Sequence, residues 1–289
     1  MDSDTRPDVP AGDDTGDAPC SDTDEGARHD TDEGARHDTD SGARHDTRDR
    51  SDPGTVETRL HGEIAVVTLR REAKLNALST HMEAALLAAL GSELVAGSRA
   101  VVVTGGPDVF SAGADTTELR EMTPETIAAY YRSTGAVYET FAALRRPTVA
   151  AISGYCLGGG LELALAADIR VADPTASFGL PEVAIGILPS SGGVTRLVRA
   201  VGPARTRDLV LRCRRMDPAE AYAWGLLSEV TEPGVPSLDR ALEIAAEMAA
   251  HPPMAASVAK QVITAATDAP RESALLLEQL GYMALNRID

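Results

Sequence analysis

Hydrophobic and polar positions divide the chain at Pro53. Before it there is almost no large apolar side chain. After it, apolar residues recur at the periods of strands and helices. Val56 to Arg70 (VETRLHGEIAVVTLR) predicts two strands around a turn at His61-Gly62, and Ala100 to Thr104 (AVVVT) a short buried strand ending in Gly105-Gly106. Between them Met82, Leu86, Leu90 and Leu94 predict one helix over Ser79 to Leu94. Thr148 to Ile152 (TVAAI) predicts a strand, Gly158 to Ala167 a helix and Asp168 to Ala172 a strand. This alternation argues an α/β fold with short parallel strands. From Ala204 onward only helical patterns remain, over 205–214, 218–226, 237–250, 252–266 and 272–287. Such an end, rich in Ala and Leu, needs a surface to bury it.

Charge sharpens the division. The 289 residues hold 44 acids against 27 Lys plus Arg, and residues 1–53 take 17 of those acids and six arginines. Few apolar groups at a net −11 predict a disordered, acidic, low-complexity tail over 1–53. One domain of ordinary size follows, with a core over 54–203 and a helical region over 204–289. The tail repeats DTDEGARH at Asp22 to His29 and Asp30 to His37, then DTDSGARH at Asp38 to His45, a period too short and polar for a solenoid. His29, His37 and His45 are of metal-ligating type, but no rigid scaffold fixes them and no metal is expected. No signal-like start and no long apolar run predict no membrane association. Cys20, Cys156 and Cys213, without metal spacing, predict free thiols in a reducing cytoplasm. The remaining net charge of −6, without a basic stripe, argues against nucleic acid.

Candidate chemistry gathers in three segments. GYCLGGGLELALAAD (Gly154 to Asp168) sets one carboxylate, Glu162, among apolar residues behind three glycines. Glycines at a helix start let backbone N–H groups approach a ligand and favour negative charge there, or they serve only a tight turn. Glu162 falls in the first helical turn, where the dipole favours its ionised form, or faces solvent there as an ordinary helix-start acid. FGLPEVAIGILP repeats the situation, with Glu182 the only charge in a stretch that reads as buried. FSAGAD (Phe110 to Asp115) is a third small-residue loop with accessible amides. Two isolated carboxylates flanking amide donors form an acid/base pair suited to chemistry beside a carbonyl.

These segments, with LNAL (Leu75 to Leu78) and AYAWGLLSEV (Ala221 to Val230) in the same order, resemble the enoyl-CoA hydratase/isomerase, or crotonase, superfamily from about Val56 onward. The resemblance implies a spiral of ββα repeats with C-terminal helices that drive a homotrimer or dimer of trimers. It implies an oxyanion hole at the N–H groups of Ala114 and Gly159 and matches Glu162 and Glu182 to the two catalytic glutamates. Glu162 is expected to activate water and Glu182, in a more apolar setting, to deliver a proton to the substrate's Cα, or the coupled pair to share the two tasks. Ala112, Asp115, Lys74, Ser190 and Lys260 match substrate or CoA contacts. CoA would belong to the substrate, and no further cofactor is expected.

The pattern departs from the family at three places. Ser190 stands where hydratases often have Gly, and Lys74 is displaced by one position from the usual Pro-Lys pair. Relatives also continue past the equivalent of Asp289 with a helix bearing an AF pair and a basic cluster, which keeps an acyl carrier protein open as the thioester carrier. Tyr130, Tyr131 and Tyr138 border the expected acyl pocket or pack in the core. Both glutamates together imply hydration of a 2-enoyl thioester. An isomerase, and a non-catalytic protein that keeps the fold, are the alternatives.

Overall fold

A computed structural model describes residues 52–286. The tail expected over 1–53, with its repeat and Cys20, lies almost wholly outside the described residues.

β1 (Thr55–His61) and β2 (Ile64–Arg70) form an antiparallel hairpin. Its turn falls at Gly62-Glu63, one residue later than expected, with Gly62 at φ +60°. Ser79 caps α1 (Thr80–Leu90), its Oγ accepting from the Met82 N–H at 3.2 Å. The single helix expected through Leu94 is two helices. Gly91 ends α1, and Ser92 caps α2 (Glu93–Gly97). Met82, Leu86 and Leu90 are therefore buried while Leu94 is 40% exposed, because the apolar spacing runs on across a Gly-Ser break.

β3 (Ala100–Thr104) is followed by α3 (Thr116–Glu121) and α4 (Pro124–Tyr131), which bury no residue, and by α5 (Val137–Ala142), which buries Val137, Tyr138 and Phe141; all three are unexpected. β4 (Thr148–Ile152), β5 (Tyr155–Leu157), α6 (Gly159–Ala166), β6 (Ile169–Ala172) and β7 (Ser177–Gly179) come next. α7 (Gly193–Val201), α8 (Pro203–Leu211), α9 (Pro218–Ala223), β8 (Glu229–Val230), α10 (Ser237–Ala249), α11 (Pro253–Ala266) and α12 (Arg271–Leu285) complete the order.

The main sheet runs β1-β2-β3-β4-β6-β8 and is parallel apart from the hairpin. β3 and β4 are buried along their whole length because helices cover both faces, which is why they read as unbroken Val/Ala runs. On one face Val67, Val101, Val103 and Ile152 join Met82, Leu86, Phe141 and Leu161. On the other, Val102, Val149 and Val171 join Ala241, Ile244 and Ala245 of α10. Part of the helical end is thus buried within its own chain. β8, unexpected after Ala204, pairs with β6, so the helical region adds a strand to the sheet of the core. α11 and α12 have no buried residue and pack chiefly on each other.

A second layer sets the geometry of everything that follows. β5 pairs with β7 in parallel, and Ser111 bridges Cys156 of β5, so Ser111, Cys156 and Phe178 form one row. Each row member follows a strand of the main sheet, namely β3, β4 and β6. Turns beginning at 112, 158 and 180 therefore leave the row side by side.

Asn76 ties this layer to the start of α1. Fully buried, with φ +52°, it accepts from the Arg71 N–H at 2.8 Å and donates to the carbonyls of Gly105 and Val109 at 2.8 and 2.9 Å. Asn76→Ala strands these groups and is expected to cost about 3 kcal/mol of stability, measured by urea unfolding.

Candidate functional site

Ala114 and Gly159 each stand three residues past the row, and each has its backbone N–H free for a reason of its own. The Leu78 N–H donates to Gly113 O at 2.8 Å and the Asp115 N–H to Leu78 O at 2.9 Å, which bracket Ala114 and leave its own N–H unpaired among the described residues. Gly159 opens α6, where a first-turn N–H has no partner within the helix. The two amides are neighbours. A Cβ placed on Gly159 would lie 3.5 Å from Ala114 N, and one on Gly113 would lie 3.4 Å from Gly159 N. Only glycine leaves this gap open.

Glu162 is 4% exposed, and its Oε1 accepts from the N–H groups of Ser191 at 2.7 Å and Gly193 at 2.9 Å. Those donors lie at the start of α7, so the charge is met by a second helix N-terminus as well as by its own. Burial nevertheless outweighs the two donors and Arg196, and the carboxyl is pushed above its usual range. The helix start favours the ionised form, as expected, but does not offset the burial. Glu182 begins a short 3₁₀ turn, Glu182–Ile185, after Pro181. Its Oε2 is buried with no hydrogen-bond partner, and burial, reinforced by the charge on Glu162, pushes it up to about 7. Glu182 Oε1 would lie 2.9 Å from a Cβ on Gly158, so the carboxyl rests against the glycine turn that presents Gly159.

Gly159, Ala114, Glu162 and Glu182 face one cavity of about 540 Å³, within the range of small-molecule sites. Ala112 and Ser190 line it too, as do Tyr130, Tyr131 and Tyr138. Such an arrangement can hold a developing oxyanion on two amides while two carboxyls exchange protons beside it.

The model of the enoyl-CoA hydratase/isomerase family matches residues 59–284, which is most of the chain. The chain belongs to the enoyl-CoA hydratase/isomerase family. It is 37% identical over 222 residues to the 2,3-dehydroadipyl-CoA hydratase of Escherichia coli, covering 75% of this chain and 84% of that one. It is 35% identical over 227 residues to the short-chain-enoyl-CoA hydratase of Clostridium acetobutylicum, covering 76% and 85%. The crystal structure of an enoyl-CoA hydratase from Bacillus anthracis superposes with a TM-score of 0.74 at 32% identity, covering 79% of this chain and 90% of that one. The α/β architecture is that of this family.

Three of the residues expected to contact substrate or CoA do not line this cavity. Asp115 spends one carboxylate oxygen on Arg71 at 2.8 Å and the other on capping α3 through the Thr117 N–H at 2.9 Å, so it holds the scaffold. Lys74, half-buried in the turn before α1, is not among the cavity's lining residues. Lys260 binds Asp168 at 2.8 Å and the Arg146 carbonyl at 3.2 Å. Asp168 in turn accepts from Thr148, at the start of β4, whereas the site lies beyond that strand's end. Lys260→Ala is therefore expected to cost about 1 kcal/mol of stability, seen as a lower melting temperature, with kcat unchanged. Sequence reasoning missed Glu83. Its position one residue after Met82 reads as the polar side of α1, although Glu83, Leu87 and Leu90 make an i, i+4, i+7 stripe that signals burial.

Proposed function

We propose that this family member is an enoyl-CoA hydratase, adding water reversibly and syn across a 2-enoyl thioester to give the 3-hydroxyacyl thioester. The observation that carries this reading is the pair of carboxyls, Glu162 buried and Glu182 half-buried with its Oε2 enclosed, on the cavity that also holds the two free amides. The thioester oxygen accepts from the N–H groups of Ala114 and Gly159. Glu162 removes a proton from water as its oxygen attacks Cβ, and charge passes to the thioester oxygen as an enolate. Glu182, protonated near neutrality, then delivers its proton to Cα. Each amide of such a hole is worth roughly 3 kcal/mol. Atoms balance without a cofactor, since CoA is part of the substrate. Loss of conjugated enoyl absorbance with short, medium and aromatic CoA thioesters tests the reading. Binding without turnover on every one would favour a carrier-protein substrate or a non-catalytic role.

We propose further that α11 and α12 make the contact of a homotrimer. Leu276, Leu280, Tyr282 and Met283 on α12 and Ile263 on α11 are more than half exposed, an apolar surface that a second copy would cover. Light scattering on the eluted protein tests this, with a monomer mass as the contrary result. No helix among the described residues is long and apolar enough to cross a membrane. Cys156 and Cys213 are free thiols, which supports a cytoplasmic setting.

A further inference from the structure

We infer that Glu83 is a specificity-determining residue of the acyl pocket, whose charge excludes acyl chains carrying a second carboxylate. This rests on the hydratase reading for its choice of thioester ligands.

Glu83 is 2% exposed. Its Oε1 accepts the hydroxyls of Tyr138 at 2.7 Å and Tyr130 at 2.8 Å, while its Oε2 is buried with no hydrogen-bond partner. A void of about 20 Å³, room for one water, is lined by Glu83, Thr80, Ala114, Glu118 and Leu119. Both phenols line the main cavity. Each donates its proton to Glu83 and so turns only lone pairs toward the cavity. Burial, then the charge on Glu83, holds both far above the usual phenol range, so they stay protonated. Tyr138 Oη stands against the oxyanion turn, 3.1 Å from where a Cβ on Gly159 would sit.

Once ionised, the carboxyls around the cavity give charge of one sign. Glu162 and Glu182 line it and Glu83 lies directly behind the phenols. No ion pair joins any of the three among the described residues, and no Lys or Arg lines the cavity. Arg196, the cation acting on Glu162, is engaged by Glu139 and by the Ser191 carbonyl at 2.8 Å. The groups facing Glu83 are two phenols, Tyr130 and Tyr138, and two acids, Glu118 and Glu162. A carboxylate at the far end of an acyl chain would be desolvated among these acids with no counter-ion, whereas an uncharged chain meets only apolar surface and phenol oxygens.

The test is calorimetric binding of hexanoyl-CoA and adipyl-CoA at about pH 8.5, where a carboxyl titrating near neutrality is ionised. The Escherichia coli 2,3-dehydroadipyl-CoA hydratase serves as a control for the second ligand. Glu83→Gln keeps an oxygen for both phenols and removes the charge. Wild type is expected to bind hexanoyl-CoA at least about tenfold more tightly than adipyl-CoA, and Glu83→Gln to narrow that ratio at least about threefold with hexanoyl affinity nearly unchanged. Should Glu83→Gln not fold, judged by circular dichroism, Leu119→Lys places a cation on the wall shared by the cavity and the void and is expected to narrow the ratio likewise. An unchanged ratio in the folded variant, equal binding of both thioesters by wild type, or binding of neither overturns the inference. Both ligands are saturated and not hydrated. A chain that turns over no enoyl thioester yet shows the ratio and its narrowing loses the hydratase reading and keeps this one.

Discussion

Glu162→Gln is expected to lower kcat for hydration of a 2-enoyl-CoA thioester by about a thousandfold, with KM changed by less than about threefold. The amide is nearly isosteric, and its oxygen still accepts from the N–H groups of Ser191 and Gly193, so the start of α7 stays in place. What is lost is the ability to take a proton from water. Steady-state kinetics on a short enoyl thioester measures both parameters, and a fall in kcat of less than about tenfold would remove Glu162 from the chemistry. A large rise in KM with kcat preserved would instead give the residue a binding role.

Glu182→Gln is expected to cost a similar factor, about a thousandfold in kcat, and to change the shape of the pH profile as well. The wild-type carboxyl is pushed up to about 7 by burial and by the charge on Glu162. It carries its proton below that pH and has lost it above. In the proposed mechanism hydration uses Glu182 as the acid, so kcat is expected to fall as pH rises through about 7, while dehydration uses the ionised form and is expected to show the opposite slope. In Glu182→Gln the group no longer titrates, and this limb is absent from the residual activity. A limb that persists in the variant would place the titrating proton on another group.

The parallel strands were legible because Val/Ala runs such as AVVVT and TVAAI can be buried on both faces and have no other natural reading. Glu162 stood out for a related reason, since a lone carboxylate in an apolar stretch demands an explanation, but the stretch around Glu182 that reads as buried is not, with Ile185 and Leu188 exposed beside the cavity. What stayed hidden depends on partners distant in sequence. β5, β7 and β8 are three residues long or shorter and exist only through the strands they meet. Asp115 and Lys260 carry charges that sequence assigns to a ligand and the fold assigns to Arg71 and Asp168. Glu83 takes its hydrogen bonds, both at Oε1, from two tyrosines 47 and 55 residues away, a contact that no local pattern encodes.

The row of Ser111, Cys156 and Phe178 has a consequence for how this molecule can change. It works as an index mark: the two amides lie three positions past it and Glu182 four past it. A side-chain replacement at Glu182 rewrites the chemistry without disturbing the ladder, whereas Gly159 must stay glycine to keep the gap between the amides open. A single inserted residue between the mark and any one of them withdraws that group while leaving the others where they were. The scaffold is tolerant of new spelling and intolerant of new spacing.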